Sequence, residues 1–324
     1  MAYSKGGKIE SGDISTTLVG ASNTTSSSNL NTVWAVGSGK SGYGQTAVST
    51  VSQFGKVNAS DWAPIINTIN TIASHQGTAV TAYTAPTTGS SVLHLSALGT
   101  NITNIFNGRN NAAGQGTTTA VTTTNNTTWF NYLTYTHTVS FASGDAARYF
   151  FNAGGQLALT FSHPTGSGIN NLFNALAAAA GTIVISGSNS GSVTIGGTVY
   201  NGVSKIPGSG TVTTLATNSG YWGLTTSFTE IFKQFGSGVT GYTSSFMTVN
   251  AKVSSATGPN SDNGATITIT TTFDEVPNGL INSAGTAVTL TVRPPSTTYL
   301  TNTWGIVNAG SGTSISVVGS VTGQ

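Results

Sequence analysis

No cysteine occurs in the 324-residue chain, which excludes disulfides, thiolate metal sites and a cysteine nucleophile together. Charge is almost as scarce. Asp, Glu, Lys and Arg make up 6% of the residues, against roughly a quarter in an average globular protein. The ten Lys and Arg are scattered from Lys5 to Arg293 and never adjacent, so the net charge of +2 forms no basic stripe for nucleic acid. Long apolar runs are missing too: the longest, Ala175 to Ile185, is broken by Gly181 and Thr182 and falls short of the roughly 18 residues of a membrane span. Met1 to Lys8 carries two lysines but runs into Glu10, Ser11 and Asp13 without an apolar segment, so no signal peptide and no membrane insertion are expected.

What fills the gap is Ser, Thr, Asn and 42 Gly, with 37% hydrophobic residues that include five Trp, ten Tyr and thirteen Phe. Low net charge with many aromatic and β-branched residues argues against disorder and for strands. The expected class is mainly β with α+β elements. Residues 1–45 read as a low-complexity attachment arm, because Ser22 to Asn29 has nothing to bury by itself. Residues 46–135 read as a small helical or irregular domain. A helix is predicted from an N-cap at Ser60-Asp61, with Ile65, Ile66, Ile69 and Ile72 on one face and Gly77 at its end; a shorter one covers Asn101 to Asn107.

Residues 136–210 read as a central α+β domain. Asn152-Ala153-Gly154-Gly155, between Tyr149-Phe150-Phe151 and Leu157, predicts a β-hairpin, and Gly168 to Ala180 predicts a helix. Thr182 to Ser186 and Ser192 to Ile195 are expected to be joined strands. Residues 211–324 alternate apolar residues with Thr in Met247 to Val253, Ala265 to Thr271 and Ala287 to Val292, the pattern of an antiparallel β-sandwich with one wet face.

The motifs carry little catalysis. Gly37-Ser38-Gly39-Lys40-Ser41 has the ending of a phosphate loop, but Trp34 stands where that loop needs its first glycine. Glycoside hydrolysis needs two facing carboxylates, and Asp274 and Glu275 are adjacent on a strand, where side chains alternate between faces. His75, His94, His137 and His163 lack the i, i+4 spacing of a helical metal site, and Ser162 and Ser167 stand in no nucleophile elbow. No enzyme activity, cofactor or metal is expected. Asp145 and Arg148, three apart, are placed to form a local ion pair. Pro294-Pro295 should stop a β ladder and lead into an extended segment ending at Trp304. Aromatic residues of this kind belong to the core or to contacts between subunits, and Trp34, Tyr43, Trp62, Tyr299 and Trp304 are the interface candidates.

Three segments carry a resemblance: Gly42 to Thr46 leading to Val57 to Trp62, Asp145 to Gln156, and Val292 to Gly305. In order and character they are similar to uncharacterised virion structural proteins of tailed phages of marine and cyanobacterial hosts, over most of residues 42–305. The resemblance implies a particle component of the tail, neck or fibre class, localised to the virion and present in many copies. It implies no catalytic residues. The expectation is an architectural protein that forms a homo-oligomer, a trimer, and contacts other virion proteins. A receptor-binding adhesin for host surface glycans and a capsid decoration protein are the alternatives.

Overall fold

The computed structural model describes residues 9–20, 29–88, 95–207, 209–255, 257–258, 260–276, 279–309 and 315–323. The chain begins with helical elements. A wide helical turn, Asp13–Val19, precedes α1 (Leu30–Trp34), α2 (Trp62–Gln76) and α3 (Leu95–Asn107). Helix α2 buries Ile65, Ile66, Ile69 and Ile72 on one stripe, as their spacing predicts. It starts at Trp62, directly after the Ser60-Asp61 pair expected to cap it, and a 3-10 turn, Ala59–Asp61, leads into it. Asn58 caps that turn, its N–H donating to the Asp61 carboxylate at 2.7 Å, an arrangement that satisfies main-chain donors left free at a helical start. Gly77 closes α2 at φ +71°, a left-handed conformation that glycine adopts without penalty.

The strands are β1 (Thr119–Thr124), β2 (Tyr132–Phe141), β3 (Gln156–Ser162), β4 (Thr182–Ile185), β5 (Val193–Ile195), β6 (Thr198–Tyr200) and β7 (Val203–Ile206). They continue with β8 (Val212–Leu215), β9 (Thr229–Phe235), β10 (Phe246–Val253), β11 (Thr266–Asp274), β12 (Ala287–Arg293), β13 (Val307–Ala309) and β14 (Ile315–Gly323). Helix α4 (Gly144–Asn152) lies between β2 and β3, and α5 (Ile169–Ala180) between β3 and β4. Among the described residues they form a five-stranded sheet, β1-β12-β3-β4-β7, a seven-stranded sheet, β13-β14-β2-β11-β10-β9-β8, and the β5-β6 hairpin. All pairings are antiparallel except β13 with β14. The mainly β, sandwich-like class read from the alternation is the observed one.

Alternation decides which side chains meet. Leu133, Tyr135, Val139, Phe273, Ile269, Val249 and Phe232 of the large sheet are buried in one continuous core with Leu157, Leu159, Val288, Leu290 and Val292 of the small one. Phe173 of α5 joins them, packing on Trp129 and Phe273 with ring centroids 5.2 and 5.8 Å apart. The β5-β6 hairpin supplies Val193, Ile195 and Tyr200 to a second cluster with Ala158 and Val184. Strand β12 ends at Arg293, immediately before the proline pair.

Four expectations need correction. Of the residues read as an attachment arm, Ile14, Leu18, Val19, Leu30 and Val33 are buried in the main core, so the described part of it is folded; residues 1–8 and 21–28 lie outside the described ones. The aromatic run before Asn152 is helix α4, not a strand, because Ser143 caps it, accepting from the Ala146 N–H at 3.0 Å. The turn stands where expected, but it joins a helix to β3. Strands β4 and β5 are not partners: β4 pairs with β3 and β7, and β5 with β6. Finally, both sheets cross the boundaries drawn near residues 135 and 210, since β12 lies between β1 and β3 while β2 lies between β14 and β11. Pairing partners far apart in sequence cannot be inferred from local patterns. Ser143→Ala should cost about 1 kcal/mol, read as a lower denaturation midpoint with an unchanged slope.

Candidate interaction surface

The five aromatic candidates separate by burial. Tyr43, Trp62 and Trp304 are buried within the chain itself, so they are core residues and not contacts to a neighbour. The Tyr43 hydroxyl donates to the Arg109 carbonyl at 2.6 Å and accepts from the Gln76 amide at 2.9 Å. Trp34 is half-buried, its indole N–H donating to the Thr46 carbonyl at 2.8 Å. Tyr299, at 45% exposure, is the member that faces outward. Burial of a side chain by segments far away in sequence leaves no local trace, which is why the set could not be divided beforehand. Trp304→Ala should destabilise by about 3–5 kcal/mol, whereas Tyr299→Ala should change stability by less than about 0.5 kcal/mol, both measured by chemical denaturation.

The Gly37 to Ser41 loop has the opposite polarity to a phosphate cradle. Its carbonyls point at a cation: the fully buried Arg148 donates Nη1 to the Ser41 carbonyl at 3.0 Å and Nη2 to the Val36 carbonyl at 2.6 Å. The Asn152 amide donates to the Gly39, Ser41 and Gly42 carbonyls. Gly42, at φ +88°, lets the chain double back so tightly that a Cβ would lie 2.2 Å from the Val36 carbonyl oxygen. Arg148 Nε also donates to Asp145 at 2.6 Å, the ion pair expected from the spacing, formed within helix α4.

Several acidic and histidine side chains are engaged by the chain itself. Buried Glu275 accepts from the Leu280 N–H, the Asn131 N–H and the Asn282 amide, tying the segment after β11 to the start of β2. Asp274, its neighbour, faces the other way and is partly exposed. His75 donates its Nε2–H to the Ala153 carbonyl at 3.1 Å. His163 lies between Thr286 and Asn170, at 2.8 and 3.0 Å. His94 lies outside the described residues. Among the described residues no three His, Asp or Glu side chains gather as a metal site would require, and no helix is long and apolar enough to cross a membrane.

The outer face of the large sheet carries exposed aromatic residues. Residues in direct register share a face, so Tyr132, Asp274, Phe246 and Phe235 form one row across β2, β11, β10 and β9. Tyr132 and Phe235 are exposed, Phe235 and Phe246 meet at 5.5 Å, and Lys233 Nζ sits 4.0 Å above the Phe246 ring. Behind this row the same face is tiled with Thr134, Thr136 and Thr138 on β2 and Thr268, Thr270 and Thr272 on β11. Compared with known proteins, the chain matches no family model, no curated protein and no solved structure. What the outer face can do therefore follows from its own chemistry: a plane of hydroxyls bordered by aromatic rings, carrying Lys233 and Lys252 against Asp274 and Glu230. The alternation of Thr with apolar residues announced this wet face, while the aromatic row required knowledge of the register.

Proposed function

We propose that this chain is an architectural component of a tailed-phage particle, assembled as a symmetric homotrimer through the outer face of the seven-stranded sheet. The observation that carries the reading is the aromatic row Tyr132, Phe246 and Phe235 on a threonine face with two charges of each sign. Interface cores favour aromatic side chains and few charges. A surface this poor in charge also lacks the repulsion that keeps most proteins monomeric. Balanced lysines and carboxylates on one face suit contact between copies, because each copy offers both signs. The resemblance of residues 42–305 to virion structural proteins supports the same reading, as does the absence of cysteine in a protein that would gain stability from packing between copies.

Sedimentation equilibrium of the purified chain tests it. The expected result is a mass three times that of the monomer, reduced toward one by Phe235→Lys combined with Tyr132→Lys at exposed positions that leave the core intact. A protein that sediments as a monomer at every concentration, with the double variant indistinguishable from it and hydrogen exchange on this face equally fast when free and in particles, overturns the reading.

A further inference from the structure

A pocket of about 310 Å3 lies between the Ser38 to Ser41 loop, the end of α3, and Trp222. Two of the ten basic residues of this charge-poor chain meet there from positions 69 residues apart. Arg109 Nε donates to the Lys40 carbonyl at 3.2 Å and Nη1 to the Phe106 carbonyl at 2.8 Å, while the guanidinium lies 4.4 Å over the Phe106 ring. These contacts fix the guanidinium and leave Nη2 without a protein partner among the described residues. Lys40 Nζ donates to Asn189 at 2.7 Å. Neither cation faces a carboxylate, since the ion pair found among the described residues joins Arg148 to Asp145. Partial burial, and then the positive Arg109, pull the Lys40 pKa below its ordinary value. Two like charges held together without a counter-ion are an arrangement that a bound anion would relieve.

The other walls say what kind of anion. Trp222 is half-buried and held in place, its indole N–H donating to Asn152 at 3.2 Å and its ring set edge-on to Tyr221 at 4.9 Å. A fixed aromatic face suits the apolar CH face of a sugar ring, with the polar groups of that ring left to hydrogen-bond. Ser261 adds a hydroxyl to the lining, and the Ser38 hydroxyl, which donates to the Asn260 carbonyl at 3.0 Å, can still accept a hydrogen bond. A polyphosphate is the poorer fit, because the loop's own donors are spent: the Gly39 N–H on the Asn260 carbonyl at 2.7 Å and the Ser41 N–H on the Ser38 carbonyl at 3.3 Å.

We propose that this pocket binds an anionic saccharide, with its acidic group between Lys40 and Arg109 and its ring against Trp222. The site goes beyond the architectural reading and uses none of the residues of the sheet face, so either can fail without the other. The test is calorimetric titration of the full chain with an oligogalacturonate, a sulfated monosaccharide, glucose and sodium sulfate. The two acidic sugars distinguish carboxylate from sulfate as the preferred group. Saturable binding of at least one of them is expected, weakened about tenfold by Lys40→Gln or Arg109→Gln, the loss of one charge-assisted hydrogen bond. Glucose should bind more weakly than either. Lys40 is exposed, so its variant keeps the fold even if Arg109→Gln disturbs the loop, and near-ultraviolet circular dichroism checks both. Absence of saturable binding by both acidic sugars, affinity unchanged in Lys40→Gln, or sulfate binding as tightly as the sugars would each overturn the assignment.

Discussion

Arg148→Met is expected to destabilise the protein by about 3–5 kcal/mol, lowering Tm by roughly 6–12 °C. Arg148 is fully buried and donates to five groups: the Asp145 carboxylate at 2.6 Å, the Val36, Ser41 and Gly37 carbonyls at 2.6, 3.0 and 3.5 Å, and the Tyr149 hydroxyl at 3.1 Å. Methionine fills much of the same space but leaves these acceptors facing a thioether that donates nothing. The partners come from α4 and from the loop between α1 and α2, so the loss uncouples the N-terminal segment from the sandwich. Arg148→Lys should recover little, since one ammonium cannot reach a carboxylate on one side and two carbonyls on the other in the planar fork a guanidinium provides. Thermal scans with refolding controls measure both variants. A Met variant as stable as the parent would mean that the loop is held by its apolar contacts alone.

The second large effect is a loss of stability in acid. Burial lowers the pKa of both His75 and His137 from 6.5 to about 4. His137 sits on the inner face of β2, with Nε2 3.2 Å from the Thr123 hydroxyl and no partner for Nδ1 among the described residues. In the unfolded chain both rings take up a proton near their ordinary pKa, whereas in the folded chain they stay neutral until about pH 4. Between those values the unfolded state holds more protons, so stability falls as the pH drops through this window and the loss is complete near its lower end. Each ring contributes on the order of 3 kcal/mol, with His163, also lowered by burial, adding in the same direction. Denaturant midpoints from pH 7.5 to 4 should decline steeply below 6.5, and His137→Leu should flatten that decline by about one proton's worth. A flat profile over this range would contradict the burial of neutral histidines.

How much of this could be read from the sequence depended on the range of the interaction. The alternation in β10, β11 and β12, the isoleucine stripe of α2, the α5 helix and the Asp145–Arg148 pair are all local, and all were legible. The sheet membership of β12 was not, because its pattern is the same as that of β11 while its partners are β1 and β3. Tyr149-Phe150-Phe151 has strand-forming side chains, yet the cap at Ser143 and the packing of Phe150 and Phe151 on Phe141, at 5.2 and 6.1 Å, favour a helix. The buried N-terminal segment left a weak signal that polar composition concealed: Ile14 and Leu18 stand four apart, and Leu30 and Val33 three apart. As for the surface features, the aromatic row needs the register of four strands, and the meeting of Lys40 with Arg109 needs two segments folded against each other. Neither has a counterpart in any local stretch of the chain.

Electron cryo-microscopy of the intact phage particle, locating the chain and counting its copies, tests the architectural account most directly. The account predicts rings of threefold symmetry at the neck, tail or fibre, with the Tyr132 to Phe235 row of each copy covered by its neighbour. Hundreds of copies on the head lattice with that face open to solvent, or no copies in the particle, would contradict it.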